Sequence, residues 1–329
     1  MLARGDSLGF LGLSAASPAA VPAWARAANA PESEAEAAFL AGAALGRLDA
    51  VVQENPSWAG VFRRRLALSA AAANVRRAGR SEDEAALRDA FHLTRPGADP
   101  GPAGRRLIAW REFCARSAGQ WRSSFQAASE VLGVPHDEAL QAAINAAEAC
   151  AGGDRPAPFA AAQVFGLARR ALRSKAGRHS LGGRGGEGEL LAAGLADSVL
   201  AQRLRWPFAL PLLAAPLFAG AARHAGGDVA DGAEGAIVFA YARAAAQAVD
   251  LSAELGRRAQ RLLAVQSKLR AKGAPAALQA LLGDDSLSAS SRIGGQLSER
   301  GARRLFDRLV GLGAIRELTG RAAFRLYGL

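Results

Sequence analysis

The sequence predicts a mainly α-helical protein, with a helical body that carries a C-terminal winged helix-turn-helix and a short β-hairpin wing. The first indication is composition, because 50% of the 329 residues are apolar while only 6% are aromatic. Runs such as AEAAFLAGAAL favour helices, whereas strands favour β-branched and aromatic residues. The second indication is regular helix punctuation, and the third is a pattern of helix, strand, turn and strand in residues 298–327. Together they argue against an all-β or disordered protein.

Helical segments follow one another from residue 33, and each ends at a helix-breaking residue. Asn55 and Pro56 end the first segment, and Gly79 ends the second. Ser81, with Glu84 three residues later, begins the third as a capping box. The expected helices cover residues 33–54, 57–78, 81–93, 105–118, 121–132, 137–151, 158–175, 189–205 and 232–272.

Two segments between these helices are predicted to be loops. Residues 94–104 contain three prolines and three glycines, and residues 176–188 contain six glycines. The apolar segment 207–222 contains three prolines, and we expect a buried, kinked helix there. The predicted organisation is a poorly ordered segment at 1–30, an all-helical body at 31–272 with a loop break near 176–188, and a winged-helix domain at 273–329.

The pattern changes near Gly273. A short helix, PAALQALLG, precedes the Ser-rich stretch DSLSASSRI, a poor helix former that predicts a short or irregular second helix for the motif. Ser298 is a good N-cap for the next helix, and AIREL, a Gly turn and AAFRLY then predict a hairpin. Apolar residues recur on one face of that last helix, namely Ala302, Leu305, Phe306, Leu309 and Val310.

The positive charge is concentrated at the same end. The whole chain has a net charge of +11. Residues 257–329 hold 14 Lys or Arg against 5 Asp or Glu, whereas the 256 residues before them hold 27 against 25. This distribution indicates an anion-binding module on a nearly neutral body.

Two family resemblances follow from these segments. Residues 298–327, through SERGARRLFDRLVGLGAIRELTG and then Arg321, Arg325 and Tyr327, resemble the winged-helix domain that closes many Fic (AMP-transferase) proteins. Nearly the whole chain resembles a bacterial family catalogued as domain of unknown function 1403, through segments such as RLDAVVQENPSWAG and LADSVLAQRLRWPFALPLLAAPL. The second resemblance implies no activity. The first would imply AMP transfer, but the HPFxxGNGR motif of that chemistry is missing, and His224 follows the nearest apolar segment without it. We therefore do not expect this protein to be an enzyme, and at most expect a non-catalytic relative of the Fic proteins.

We expect residues 273–329 to bind double-stranded DNA, as in a transcriptional regulator. In a winged helix the last helix enters the major groove and the hairpin rests on the backbone. Arg300, Arg303 and Arg304 are predicted to read or clamp the groove, because Arg suits both guanine and phosphate. The residues predicted to hold the backbone are Arg308, Arg316, Arg321 and Arg325, with Lys268, Arg270 and Lys272 adding phosphate contacts.

The alternative is a protein-interaction scaffold that uses the winged helix as a docking surface. Winged helices also bind proteins, and Asp307 lies within the arginine face, where it weakens the positive potential. The oligomeric state stays open, because no heptad repeat is present.

No catalytic, metal-binding or cofactor-binding residues are predicted. Residues 82–92 combine four acids with His92, a composition that can hold a metal, but helix N-terminal acids and a Glu84 to Arg88 pair explain it more simply. The four histidines lack metal-site spacing. Cys114 and Cys150 are too few for a disulfide framework and are expected to be buried free thiols in the cytoplasm. The most apolar segment is too short for a membrane span of about 20 residues.

Overall fold

The computed structural model describes residues 20–26, 29–95, 97–176, 186–215, 234–291, 293, 297–321 and 324–329, except for the side chains of 173–176. These residues form a mainly helical protein with a small three-stranded antiparallel sheet near the C-terminus. The helices are α1 (Glu34–Glu54), α2 (Ala59–Arg77), α3 (Glu84–Leu93), α4 (Gly101–Ala115), α5 (Trp121–Leu132), α6 (Glu138–Ala151), α7 (Ala157–Ala176), α8 (Glu187–Arg203), α9 (Glu234–Ala264), α10 (Ala274–Gly283) and α11 (Glu299–Gly311). The strands are β1 (Leu287–Ser288), β2 (Arg316–Glu317) and β3 (Leu326–Gly328).

Helices with strong local caps form where the sequence predicts them. The Ser33 hydroxyl accepts the Glu36 N–H at the start of α1, and Asn55 ends that helix in the left-handed region with φ 44°. Asp137 caps α6 by accepting the N–H groups of Ala139 and Leu140. These caps satisfy backbone groups that the first and last helical turns leave unpaired.

Several helix ends differ from the prediction, and three of them have a local explanation. α3 begins at Glu84, because Asp83 rather than Ser81 caps it. α4 begins at Gly101, inside the predicted loop, since Pro102 fits a first helical turn where no N–H is needed. The long helix α9 ends at Ala264, and a 3-10 turn follows at Gln266–Lys268.

The prediction of a buried, kinked helix from residue 207 is wrong for residues 207–213, which are not helical, although residues 208–213 are buried as expected. The Asp197 carboxylate accepts the N–H groups of Leu212 at 3.0 Å and Leu213 at 3.3 Å. Burial raises the pKa of Asp197 well above its usual value. The prolines of this segment disfavour a helix. The two N–H groups therefore donate to the buried Asp197 side chain instead of to helical carbonyl oxygens.

The core is centred on α8, whose residues from Leu190 to Ala201 are buried on every side. Apart from Asp197 and Ser198, this stretch is apolar or glycine, and a helix that is apolar on nearly all sides belongs in the interior. Helices α4, α5, α6 and α7 pack around it, and α1 packs along α9. Within the segment 1–30, Val21 and Ala25 are buried and Arg26 pairs with Asp250 at 2.7 Å. Residues 1–19 and 27–28, residues 177–185 of the predicted glycine loop, and residues 216–233, which include His224, lie outside the described residues.

The C-terminal segment contains α10, β1, α11, β2 and β3 in chain order. The strands pair antiparallel in the order β1, β3, β2, with Leu287 opposite Tyr327 and Arg316 opposite Gly328. The Ser-rich stretch predicted to hold a short second helix instead holds β1 and a turn among its described residues, whereas 292 and 294–296 lie outside them. The stretch becomes a strand because β3, some forty residues later in the chain, supplies its hydrogen-bond partners.

Candidate nucleic-acid interface

Helix α11 is the most strongly amphipathic element of the C-terminal segment. Ser298 caps it as predicted by accepting the Gly301 N–H at 3.2 Å. Its buried face consists of Ala302, Leu305, Phe306 and Leu309. Val310, predicted to belong to this face, is 37% exposed, because it lies at the edge of the stripe near the last turn.

The opposite face of α11 is exposed and basic. Arg300, Arg303, Arg304 and Arg308 are all exposed, as the helical period predicts. Arg303 pairs with Glu299 at 2.9 Å, one turn earlier. Within the part of the chain that the structure describes, Arg300 and Arg304 have no ion-pair or hydrogen-bond partner. One helical turn of exposed surface therefore presents two guanidinium groups that are available to an anion.

Asp307 lies between these arginines and is partly neutralised by the hairpin. Its carboxylate accepts the Tyr327 hydroxyl at 3.3 Å and lies 3.6 Å from the Arg325 guanidinium. The Tyr327 ring also stacks on Phe306, with ring centroids 4.8 Å apart. The acid thus ties β3 to α11, and Arg325 is engaged within the protein.

The loop before α10 also contacts α11. Arg308 donates to the backbone oxygen of Lys268 at 3.0 Å and so fixes this loop beside the helix. Lys268, Arg270 and Lys272 are exposed and have no acidic partner among the described residues. The loop adds positive charge to the same region of the surface as α11.

The two remaining hairpin arginines have different environments. Arg321 pairs with Asp89 of α3 at 2.6 Å and therefore links the hairpin to the body. Arg316, on the edge strand β2, is exposed and has no acidic partner in the described ranges. The structure therefore leaves Arg300, Arg304, Arg316 and the three loop residues available, and engages Arg303, Arg308, Arg321 and Arg325 in internal contacts.

A buried group of charges joins the C-terminal segment to the body. Arg65 of α2 and Arg88 of α3 both donate to Asp285, whose side chain is only 4% exposed. Arg111 of α4 donates to Asp284 at 2.6 and 2.9 Å. Burial alone would raise the pKa of Asp285, but the hydrogen bond from Arg88 and the charges of Arg65 and Arg88 outweigh it, so the pKa lies below its usual value.

Sequence reasoning missed this charge cluster. Two signals for it were present, namely three consecutive arginines in an Ala-rich helix at 63–65 and the Asp-Asp pair at 284–285. The same contact includes the His92 ring, whose Nε2 lies 2.9 Å from the Ser286 hydroxyl oxygen, and burial lowers the pKa of His92. The cluster positions the basic surface and does not form part of it.

The acidic stretch at 82–92 has the structural role that its simpler interpretation predicts. Glu84 pairs with Arg88 at 3.6 Å, Glu82 pairs with Arg80, and Asp83 caps α3. The described residues contain no group of three or more His, Cys, Asp or Glu placed to hold a metal ion. Cys114 and Cys150 are free and buried as predicted, and burial raises the pKa of Cys114 to about 12. None of the described helices combines the length and the apolar character that crossing a bilayer requires.

Fold and site together define a helical protein with a basic, solvent-facing helix held beside a small C-terminal sheet. The chain belongs to the family described as "Protein of unknown function (DUF1403)", whose profile matches residues 13–329. This match confirms the whole-chain resemblance found in the sequence. No curated protein matches the chain.

Proposed function

We propose that this protein binds double-stranded DNA through residues 273–329, with α11 entering the major groove, and that it acts as a transcriptional regulator. The observation that carries the proposal is the outward face of α11, where Arg300 and Arg304 are exposed without an acidic partner in the described part of the chain. Arg is the residue most often used to contact guanine edges and phosphates. A helix of 13 residues with one basic face has dimensions that fit the groove.

The order α10, β1, α11, β2, β3 supports the interpretation of this segment as a winged helix. The letters that resemble the Fic winged-helix domain cover α11 and the β2–β3 hairpin. We assign groove contacts to Arg300, Arg303 and Arg304, and phosphate contacts to Arg316, Lys268, Arg270 and Lys272. Arg308, Arg321 and Arg325 have partners within the protein, and we assign them a positioning role before any phosphate contact.

Fluorescence anisotropy of a labelled random-sequence duplex tests this proposal. The wild-type protein is compared with R300Q/R304Q and with the control R47Q/R76Q, which removes two exposed arginines from α1 and α2. We expect R300Q/R304Q to weaken binding about tenfold or more and to flatten its salt dependence, because each lost phosphate contact lowers the slope by about 1. The control should bind like the wild type. Equal binding by all three proteins would contradict the assignment of α11.

A second candidate is a docking surface for a protein partner. The observation that favours it is the apolar end of α11, where Val310 is 37% and Leu312 is 38% exposed beside the acidic Asp307. In this case the anisotropy experiment shows little duplex binding at any salt concentration. V310S/L312S should then abolish capture of a stoichiometric protein partner, whereas R300Q/R304Q retains it.

A further inference from the structure

We propose that the DNA-contacting surface continues beyond the C-terminal segment onto the last turns of α9, where Arg257 and Arg261 bind phosphates of the same duplex beside Arg316 of β2, whose phosphate contact belongs to the proposed function. This inference rests on the proposed function and assigns a second element to it. Arg257 and Arg261 are one helical turn apart on the exposed side of α9. Neither has an acidic partner among the residues that the structure describes.

The residue between them connects α9 to the small sheet. Arg258 donates to the backbone oxygen of Leu329 at 2.9 Å and also to Glu254. Leu329 directly follows Gly328, which is the register partner of Arg316. The edge strand that carries Arg316 is therefore held beside the turn of α9 that carries Arg258 and Arg261.

Arg258 is surrounded mainly by other positive charges. Burial lowers the pKa of Arg258, and the positive charges of Arg316, Arg65 and Arg261 lower it further, whereas Glu254 opposes them. Arg65 is engaged by Asp285, so its charge is compensated inside the fold. Arg261 and Arg316 both lie close enough to Arg258 to lower its pKa, and neither has an ion-pair partner in the described chain. A polyanion would relieve this repulsion.

The fold keeps this cluster in a constant position relative to α11. The backbone oxygen of Leu329 accepts hydrogen bonds from both Arg258 and Arg65, and Arg65 also donates to Asp285. From α9 the chain continues through a 3-10 turn to Lys268, whose backbone oxygen accepts a hydrogen bond from Arg308 of α11. One short stretch thus connects both basic regions, so a duplex bound at α11 meets a prearranged second set of cations.

Exposed arginines on a helix and an edge strand suit phosphate oxygens rather than base edges, because they reach outward and no groove-entering element carries them. The expected contribution is independent of DNA sequence. Losing it should weaken binding to every duplex by a similar factor and reduce the slope of log Kobs against log salt.

The experiment compares R257Q/R261Q and the single variant R316Q with wild type and with R47Q/R76Q, on a random duplex at several salt concentrations. We expect several-fold weaker binding for R257Q/R261Q and a slope smaller in magnitude by about 1 to 2, with a smaller effect of the same kind for R316Q. Unchanged thermal unfolding shows that each variant is folded. If R300Q/R304Q binds the duplex more weakly than wild type while R257Q/R261Q binds like the control, the assignment of α9 is wrong and the proposed function stands. If wild type itself binds no duplex, both proposals fail.

Discussion

The Asp285 carboxylate links the C-terminal segment to two helices of the body. It is almost fully buried, yet it accepts hydrogen bonds from two arginines that lie on different helices of the body. A buried charge is tolerated only when it is paired and hydrogen-bonded. The pairing places the start of the C-terminal sheet directly on α2 and α3.

We expect D285N to destabilise the protein by about 3 to 5 kcal/mol, because removing one partner of a buried ion pair leaves the other charges uncompensated. Urea unfolding measures the change. The matched control is E299Q, which breaks the exposed Glu299 to Arg303 pair and should cost about 0 to 1 kcal/mol. Equal effects of the two substitutions would mean that Asp285 does not hold the segment.

The same carboxylate predicts a pH dependence. Since the pKa of Asp285 is lower in the folded protein than its ordinary value, its contribution is fully present above the unfolded pKa, at about 4, and is lost as the pH falls through the folded pKa. The stability difference between wild type and D285N should therefore be constant from pH 7 to about pH 5 and shrink in stronger acid. Unfolding curves of both proteins across this range measure it, and a difference that grows on acidification would contradict the assignment.

At the scale of elements, the contact between α2 and α10 depends on a close backbone approach. A Cβ atom at Gly60 would lie 2.6 Å from the Cα atom of Gly283, which ends α10. Only a residue without a side chain permits this distance. The contact brings Asp284 and Asp285 close to the arginines of α2.

G60A should lower stability by about 1 to 3 kcal/mol through overpacking, although Ala is the better helix former. The control is G46A in α1, where a Cβ atom meets nothing within 4 Å, and we expect it to raise stability by up to about 1 kcal/mol. Thermal unfolding of both variants shows the sign directly. A stabilising G60A would indicate that the two helices can separate without cost.

Across the whole molecule, the body and the C-terminal segment share one hydrophobic core. Leu278, Leu281, Phe306 and Tyr327 belong to the same contiguous cluster as the residues of α8. The ionic contacts at Asp284 and Asp285 lie beside this cluster. The segment 273–329 therefore acts as part of the body's core as well as a basic surface.

A chain ending at Lys272 should consequently be much less stable than the full chain. Its truncation exposes apolar surface and leaves Arg65, Arg88 and Arg111 without their acids. Circular dichroism during heating and binding of a hydrophobic dye measure the effect. An unchanged unfolding temperature would show instead that the two parts are independent domains, as the sequence alone suggested.

The local architecture of this protein can be predicted from its amino-acid sequence. The caps at Ser33, Asp137 and Ser298 and the apolar stripe of α11 were predictable, because capping and periodicity act within one or two helical turns. The basic character of the last helix followed for the same reason.

Long-range packing, in contrast, determines which charged side chains remain available to a ligand and how the C-terminal segment is attached to the body. Arg321 forms an ion pair with Asp89, and Arg65 forms one with Asp285, which is 220 residues away in sequence. The partner of each charge therefore depends on long-range packing. The Ser-rich stretch forms β1 because β3 pairs with it. Leu212 and Leu213 lie outside any helix, and the buried Asp197 side chain accepts their N–H groups. Such choices are made by partners distant in sequence, and tertiary contacts override local preference wherever a buried group needs a hydrogen bond or a counter-charge.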